Sequence, residues 1–438
     1  MSEYSRLSDD QSSGVIVAAQ SGPLAGEVTV PGAKNSILKL MAAALLADGV
    51  YELSHVPRIG DVDIMAELLT QLGLRIEKTA IPNPEQDGQK LRIVNSGNIA
   101  TVAPFEIADR IRASVNVVGP LLGRLGEVDI ALPGGDDFGG RPIDIHLRGL
   151  EAMGATFTFS DGGLIGRANG LHGADISLEF PSVGATENLL MAAVCATGTT
   201  TITNAAREPE IGDLCLMLRS MGAHIEGIGT QQLVIHGVAQ TSLQSTTHTT
   251  VADRVQAATY MSAVAMCGGD VHVKGAIINH MEMLMSRFTD MGMTIAPTDD
   301  GIHVRSSGRL SAVDISTLPY PGIATDYKPL LVTMLGVSDG TAVVTENLYP
   351  GRFRYIEELR KFGADITIDG HHAVVRGVEH LTGAVVHAPD IRAGAALVVA
   401  GLAASGMTEI RDIHHIDRGY DDLVGRLAAL GAAVSRVD

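Results

Sequence analysis

Tryptophan is absent from the 438 residues, and aromatic side chains make up only 4% of them. Any core must therefore be built from Ala, Val, Leu, Ile and Met. Cysteine is scarce as well: Cys195, Cys215 and Cys267 stand far apart, each in apolar sequence. That spacing excludes a disulfide framework or a cysteine metal site, and it predicts buried thiols in a reducing compartment. Positive charge is in deficit, with 32 Lys and Arg against 50 Asp and Glu, a formal net charge of −18. An acidic surface argues against nucleic acid or an anionic membrane as the main partner, although a local basic cleft for a small anion stays open. No apolar run reaches the length of a membrane span. The longest uncharged one, Ala393 to Met407, has fifteen residues, short of the roughly 18 that a span requires. The first fourteen residues, MSEYSRLSDDQSSG, contain no apolar h-region. They predict a short disordered tail rather than a secretory signal. The expectation is a soluble, cytoplasmic protein.

What the chain has instead is glycine, 50 of them, and repetition. One phrase recurs six times: QLGLRI, AMGATF, SMGAHI, DMGMTI, KFGADI and ALGAAV, with glycines at 73, 154, 222, 292, 363 and 431. Each follows an amphipathic stretch, which reads as a helix stopped by a C′ glycine and followed by a strand. A second phrase interleaves with it, an apolar segment, a glycine and a β-rich run, as in LLMAAVCATG-TTTITNA and LVVAGLAASG-MTEIRDI. A helix apolar on all sides is buried on all sides. Each unit of about 70 residues should hold one inner helix, one outer amphipathic helix and short strands between them. Six such units fit a solenoid, a ring, or two globular domains of three. The unit length favours two similar domains, and two domains make a cleft.

The inner helices are apolar, yet their starts are not. They read GAKNS, RIRAS, SVGATEN, ADRVQ, TDYKP and DIRAG. Ser, Thr and Asp at such places are ordinarily caps. Lys34, Arg112 and Arg392 are different, because a cation at a helix N-terminus opposes the macrodipole. Their presence in three of six equivalent places points to anion binding at helix ends. A further loop, LPGGDDFGGRP at 132–142, sets Asp136, Asp137 and Arg141 among four glycines. Such a segment is either a solvated turn or a lid that carries an acid into a closed site.

GAKNS, RASVNVVGP, PGGDDFGGRPIDIH, SVGATEN, NAAREPEI, TDYKP and HIDRGY, kept in order from about Gly22 to the C-terminus, resemble the UDP-N-acetylglucosamine 1-carboxyvinyltransferases. The resemblance implies an α/β fold, the two-domain inverse α/β barrel of six repeated units shared with enolpyruvylshikimate-phosphate synthase. It implies a first domain of residues 34–251 and a second of residues 1–33 plus 252–438, with the active site between them. It also implies transfer of enolpyruvate from phosphoenolpyruvate to the 3-hydroxyl of UDP-N-acetylglucosamine, releasing phosphate by addition and elimination, at the first committed step of peptidoglycan synthesis.

That chemistry needs one acid, one base and many cations for a phosphate, a carboxylate and a diphosphate. By motif match, Lys34, Arg141 and Arg418 hold the phosphoenolpyruvate phosphate. Arg352 and Arg392 assist with its carboxylate or the developing charge, and Arg112 supports the loop and the phosphate region. Asn35 orients the sugar and Asp326 takes the hydroxyl proton. Arg141, Pro142, Ile143, Asp144 and Ile145, with Ser182, Val183 and Gly184, match segments that grip uridine and diphosphate. His146 lines that region and Leu348 gives an apolar contact. Asp136 stands where many members carry a cysteine that helps protonate the methylene carbon and is the target of fosfomycin. An acid there implies catalysis without a cysteinyl adduct, and fosfomycin resistance. No metal and no cofactor is implied. The partners are the two small substrates, with neither nucleic acid nor membrane, and the chain is expected as a monomer or weak homo-oligomer.

Three places depart from the commonest pattern. Phe180 stands where many members have lysine, although LEFPSVGATEN resembles the actinobacterial branch. Tyr327 and Lys328 replace a usually uncharged pair, and Pro350 and Gly351 precede Arg352. They leave open a paralogue that enolpyruvylates another nucleotide such as UMP, or a silent UDP-sugar sensor. Met281, Met283 and Met285 are expected to pack one helix face. His371–His372 and His414–His415 are expected at the surface or on strands.

Overall fold

The structure, a computed structural model, describes residues 14–80, 88–108, 110–131, 143–160 and 163–437. Each repeated phrase becomes a helix, a turn and a strand. The outer helices are Gly60–Gln71, Asp144–Ala152, Pro209–Ser220, Glu282–Asp290, Ile356–Lys361 and Leu423–Ala429. All six glycines that follow them have φ between 89 and 108, the left-handed turn that ends a helix without a Cβ penalty. At Gly73 a Cβ would also lie 2.2 Å from the Asn98 carbonyl oxygen.

The inner helices are Lys34–Ala43, Val118–Leu125, Val183–Val194, Arg254–Cys267, Lys328–Leu335 and Ile391–Ala403. Two are entered through a 3-10 turn, Arg112–Val117 and Thr325–Tyr327. Burial follows composition. Every residue of Lys328–Leu335 is buried, as are Arg254 to Ala265 and Ile391 to Leu402. The inner helices Arg254–Cys267, Lys328–Leu335 and Ile391–Ala403 pack on one another, and Val118–Leu125 packs on Val183–Val194.

The strands form six four-stranded sheets of one pattern. In each, one edge strand runs parallel to its neighbour, and the other two pairings are antiparallel. The edge strand belongs to the preceding unit, so consecutive units are stitched by backbone hydrogen bonds. Three long-range strand placements close the series. Thr247–Thr249 joins Gly49–Val56 of the first unit. Leu24–Thr29 joins Gly269–Lys274, and Val15–Ala19 inserts between Met407–Arg411 and Val434–Val437. The result is two rings of three units, each around its own apolar core. One core draws on residues between Ile37 and Leu243, the other on Ile16 to Val30 and Val255 to Ala432.

The chain passes between the cores in two adjacent segments. Gly32 and Ala252 pair antiparallel, Ala33 donates to the Val251 carbonyl at 2.7 Å, and Asp253 donates to that of Pro31 at 2.8 Å. A Cβ at Gly32 would lie 1.7 Å from the His55 carbonyl oxygen, so only glycine permits this approach.

Two expectations need correction and a third is largely met. Of the methionines, Met281 and Met285 are buried a turn apart, but Met283 points away and is 43% exposed. Cys215 is buried, whereas Cys195 and Cys267 are half-buried. Burial still pushes all three thiols up to about 12. As expected, His371 and His414 are exposed and His372 starts the strand His372–Arg376, while His415 is half-buried in the four-residue helix His414–Asp417. Among the described residues no helix is long and apolar enough to cross a membrane.

Candidate active site

The apolar inner helices leave their first N–H groups unsatisfied, and the sequence places acids to meet them. Asp253 Oδ1 accepts from the backbone N–H groups of Val255 and Gln256 at 2.8 and 3.0 Å, and its Oδ2 accepts from that of Lys34 at 3.1 Å. Asp390 Oδ1 accepts from Arg392 and Ala393, both at 2.9 Å. These caps offset the cost of a cation at the helix start.

Two carboxylates organise the cations. Asp61, on Gly60–Gln71, receives Lys34 Nζ at 3.0 Å on one oxygen and Arg418 Nε at 2.9 Å on the other. Lys34 starts the first inner helix and Arg418 follows the last, so this link joins the two halves of the molecule. Burial works to raise the Asp61 pKa, but Lys34 and Arg418 together hold it below its ordinary value. Asp326, in the turn Thr325–Tyr327, receives Arg352 Nη1 at 2.8 Å on Oδ1 and Arg392 Nε at 3.2 Å on Oδ2. Burial again opposes ionisation, and Arg352 and Arg392 overcome it, holding the carboxyl far below the usual range. Lys34 contributes to the same lowering, so the two clusters lie within electrostatic reach of each other. Nη1 of Arg392 is buried and has no hydrogen-bond acceptor among the described residues. A buried donor left in this state is a ready contact for an anion.

A third group surrounds His146. Its Nδ1 lies 2.9 Å from Asn188 Nδ2. Burial, then the charge of Arg112, lowers its pKa to about 4, so the ring is neutral at physiological pH. A Cβ on Gly184 would stand 3.0 Å from His146 Cε1. Ser182 caps Val183–Val194 by accepting from the Ala185 N–H at 3.3 Å. Arg112, His146 and Ser182 to Gly184 therefore belong to one neighbourhood. Ile143 and Ile145 are half-buried beside it, while Asp144 is exposed and pairs with Arg148 at 2.6 Å. Asn35 is half-buried and its carbonyl accepts from Lys39 Nζ at 2.6 Å. Leu348 is half-buried on the segment that leads to Arg352. Asp136, Arg141 and Pro142 lie outside the described residues.

Several participants carry no sequence signal of their own. Asp61 sits in RIGDVDIMAELL, where it reads as a first-turn acid of an amphipathic helix. Glu346, in VVTEN, reads as a strand end. The departure at Lys328 turns out not to face an acceptor, because the side chain is fully buried and paired with Glu346 at 2.8 Å.

Comparison with known proteins matches this architecture. The family described as EPSP synthase (3-phosphoshikimate 1-carboxyvinyltransferase) matches residues 18–427. The UDP-N-acetylglucosamine 1-carboxyvinyltransferase of Mycolicibacterium paratuberculosis is 48% identical, over 95% of this chain and 97% of that protein. That of Mycobacterium leprae is also 48% identical, over 94% and 97%. UDP-N-acetylglucosamine 1-carboxyvinyltransferase 1 of Caldanaerobacter subterraneus is 45% identical, over 96% and 99%. Among solved structures, the enolpyruvyl transferase NikO from Streptomyces tendae superposes with a TM-score of 0.86 at 23% identity, covering 97% of this chain and 99% of that one. EPSP synthase from Acinetobacter baumannii follows at 0.74 and 18%, covering 97% and 100%. The chain belongs to the enolpyruvyl transferase family, on the branch of the UDP-N-acetylglucosamine 1-carboxyvinyltransferases.

Proposed function

We propose that this transferase moves the enolpyruvyl group of phosphoenolpyruvate to the 3-hydroxyl of UDP-N-acetylglucosamine, releasing phosphate, in the cytoplasmic synthesis of peptidoglycan precursors. The observation that carries the reading is Asp326 set between Arg352 and Arg392, within electrostatic reach of Lys34. Identity to the UDP-N-acetylglucosamine 1-carboxyvinyltransferases at almost half of the aligned positions supports the acceptor.

In the addition step, Asp326 takes the proton of the sugar hydroxyl as the oxygen bonds to C2 of phosphoenolpyruvate. Asp136 gives a proton to the methylene carbon, leaving a tetrahedral ketal. In the elimination, the bond from C2 to the phosphate oxygen breaks, and the methyl group returns one proton. Lys34, Arg141 and Arg418 hold the phosphate. Arg352 and Arg392 meet the carboxylate, with the buried Nη1 of Arg392 as a preformed donor. Asn35, Arg112, Ile143 to His146, Ser182 to Gly184 and Leu348 receive the nucleotide sugar. A carboxylate clamped by two guanidiniums is a weak base. Once those guanidiniums turn to a substrate anion, Asp326 loses part of its stabilisation and its basicity rises. Base activation would then wait for phosphoenolpyruvate.

Residues 34–251 form one domain, and residues 1–33 with 252–438 the other, closing on the substrates. Asp136, a carboxylic acid in a glycine-bracketed stretch of sequence, cannot form a thioether, so the chain resists fosfomycin. Covalent fosfomycin labelling seen by mass spectrometry would remove Asp136 from this role. The test of the whole reading is phosphate release by the purified protein with phosphoenolpyruvate and UDP-N-acetylglucosamine, with UMP in parallel. Release with the UDP-sugar supports the reading. Release with UMP alone moves the acceptor, and a melting shift with the UDP-sugar without turnover makes the chain a sensor.

A further inference from the structure

Lys328 is a fully buried cation that the reaction scheme does not use. Its Nζ donates to the carbonyl oxygen of Arg352 at 2.6 Å and pairs with Glu346 Oε2 at 2.8 Å. It also stands 3.9 Å from the centroid of the Phe353 ring. Glu346 is equally buried and fully engaged. Its Oε1 accepts from Thr317 Oγ1 at 2.6 Å and from the backbone N–H groups of Leu348 and Tyr349 at 2.8 and 3.1 Å. Its Oε2 accepts from Thr325 Oγ1 at 2.7 Å, and that hydroxyl in turn accepts from Arg352 Nη1 at 3.2 Å. Arg352 is thus held at both ends, its carbonyl by Lys328 and its guanidinium by Thr325 and Asp326.

A buried ion pair is a poor device for stability, because desolvating both charges offsets most of their attraction. What this one does is geometric. Glu346 gathers the backbone that carries Leu348, and Lys328 fixes the backbone of Arg352 beside it. We propose that Lys328, through the Arg352 carbonyl and Glu346, is a positioning residue that presents the Arg352 guanidinium for phosphoenolpyruvate binding. This rests on the enolpyruvyl-transfer reading above.

The charged groups that face the ammonium are Glu346 after the strand Thr341–Thr345, Arg352, and Asp390 at the cap of Ile391–Ala403. Tyr355 lies in the same surroundings, near Arg352, Glu346 and Asp390. Burial lowers the Lys328 pKa to about 8, against the pull of Glu346. The ammonium is therefore present at neutral pH and lost as pH rises through about 8, and its grip on the carbonyl weakens with it.

The test is steady-state phosphate release with each substrate varied in turn. Lys328→Met, which removes both donor and charge at similar volume, is expected to raise KM for phosphoenolpyruvate about tenfold. KM for UDP-N-acetylglucosamine should move less than about twofold. Lys328→Gln retains a donor for the carbonyl, so it should recover most of the loss. It should also abolish the rise in phosphoenolpyruvate KM expected of the wild type as pH passes about 8. A selective rise without recovery by Gln assigns the positioning to the charge. An unchanged phosphoenolpyruvate KM in Lys328→Met, or an equal rise for both substrates, overturns the proposal. Where Lys328→Met does not fold, Thr325→Val carries the test by cutting only the relay to the guanidinium. A raised phosphoenolpyruvate KM then supports positioning and an unchanged one overturns it. Absence of turnover by the wild type fails the parent reading, and is distinguished from wild-type turnover that the variants match.

Discussion

Asp61 and Asp326 do the same electrostatic work in different surroundings. Each carboxylate takes one cation on each oxygen, and in each the paired cations overcome burial. Asp61 draws its partners from the two halves of the chain, and its side chain is 2% exposed. Asp326 draws both from one half, and a quarter of it is exposed. Paired charge alone therefore does not make a catalytic group. Exposure separates the two: Asp61 is a sealed strut between Lys34 and Arg418, and Asp326, the proposed base, keeps the exposure that a substrate hydroxyl would need. Glu187 marks the other extreme. Among the described residues neither of its buried oxygens has a hydrogen-bond partner, and Lys39 Nζ stands 3.5 Å from Oε1. Burial accordingly pushes its pKa up to about 7.

The sharpest break in this comparison is Asp326→Asn. Loss of the proposed base should cut kcat by roughly 10²- to 10⁴-fold, as measured by phosphate release, and the buried Arg352 and Arg392, left without their counter-charge, should lower the melting temperature as well. Asp61→Asn should act mainly on stability, by roughly 2 to 4 kcal/mol, because two largely buried cations lose their counter-charge. The folded pKa of Asp61 is lowered, so its contribution is full above the ordinary carboxylate value of about 4 and lost as pH falls below it. Denaturant curves of wild type and variant should therefore converge in acid.

Glu187→Gln should have the opposite sign. Its folded pKa is raised to about 7, so the wild type is best served below the unfolded value near 4 and loses that stability as pH rises through 7. The variant should gain about 2 kcal/mol at pH 8 and nothing at pH 4. A variant less stable at pH 8 would show that the Lys39 attraction outweighs burial. The smallest effect belongs to an exposed pair. Arg305→Ala, which breaks the ion pair with Asp270, should cost under about 1 kcal/mol by the same denaturant assay.

The six-unit architecture is legible in the chain because two patterns recur with fixed spacing: the C′ glycine and the wholly apolar helix. Closure of each ring is not, because it depends on strands such as Val15–Ala19 and Thr247–Thr249 pairing with units far along the sequence. The site divides in the same way. Lys34 and Arg392 stand out because cations at helix starts defy the macrodipole, and the acids that permit them read as ordinary caps. Asp61 does not stand out, because its partner Arg418 lies 357 residues away. Lys328 misleads: beside Asp326 it suggests a substrate contact, yet the first turn of a wholly buried helix turns its head toward Glu346.

The measurement that bears most directly on the account is kcat for phosphate release by Asp326→Asn and Asp61→Asn, side by side at saturating phosphoenolpyruvate and UDP-N-acetylglucosamine. An open base and a sealed strut predict a loss of at least about a hundredfold for Asp326→Asn and less than about tenfold for folded Asp61→Asn. Equal losses, or the larger loss in Asp61→Asn, would contradict it.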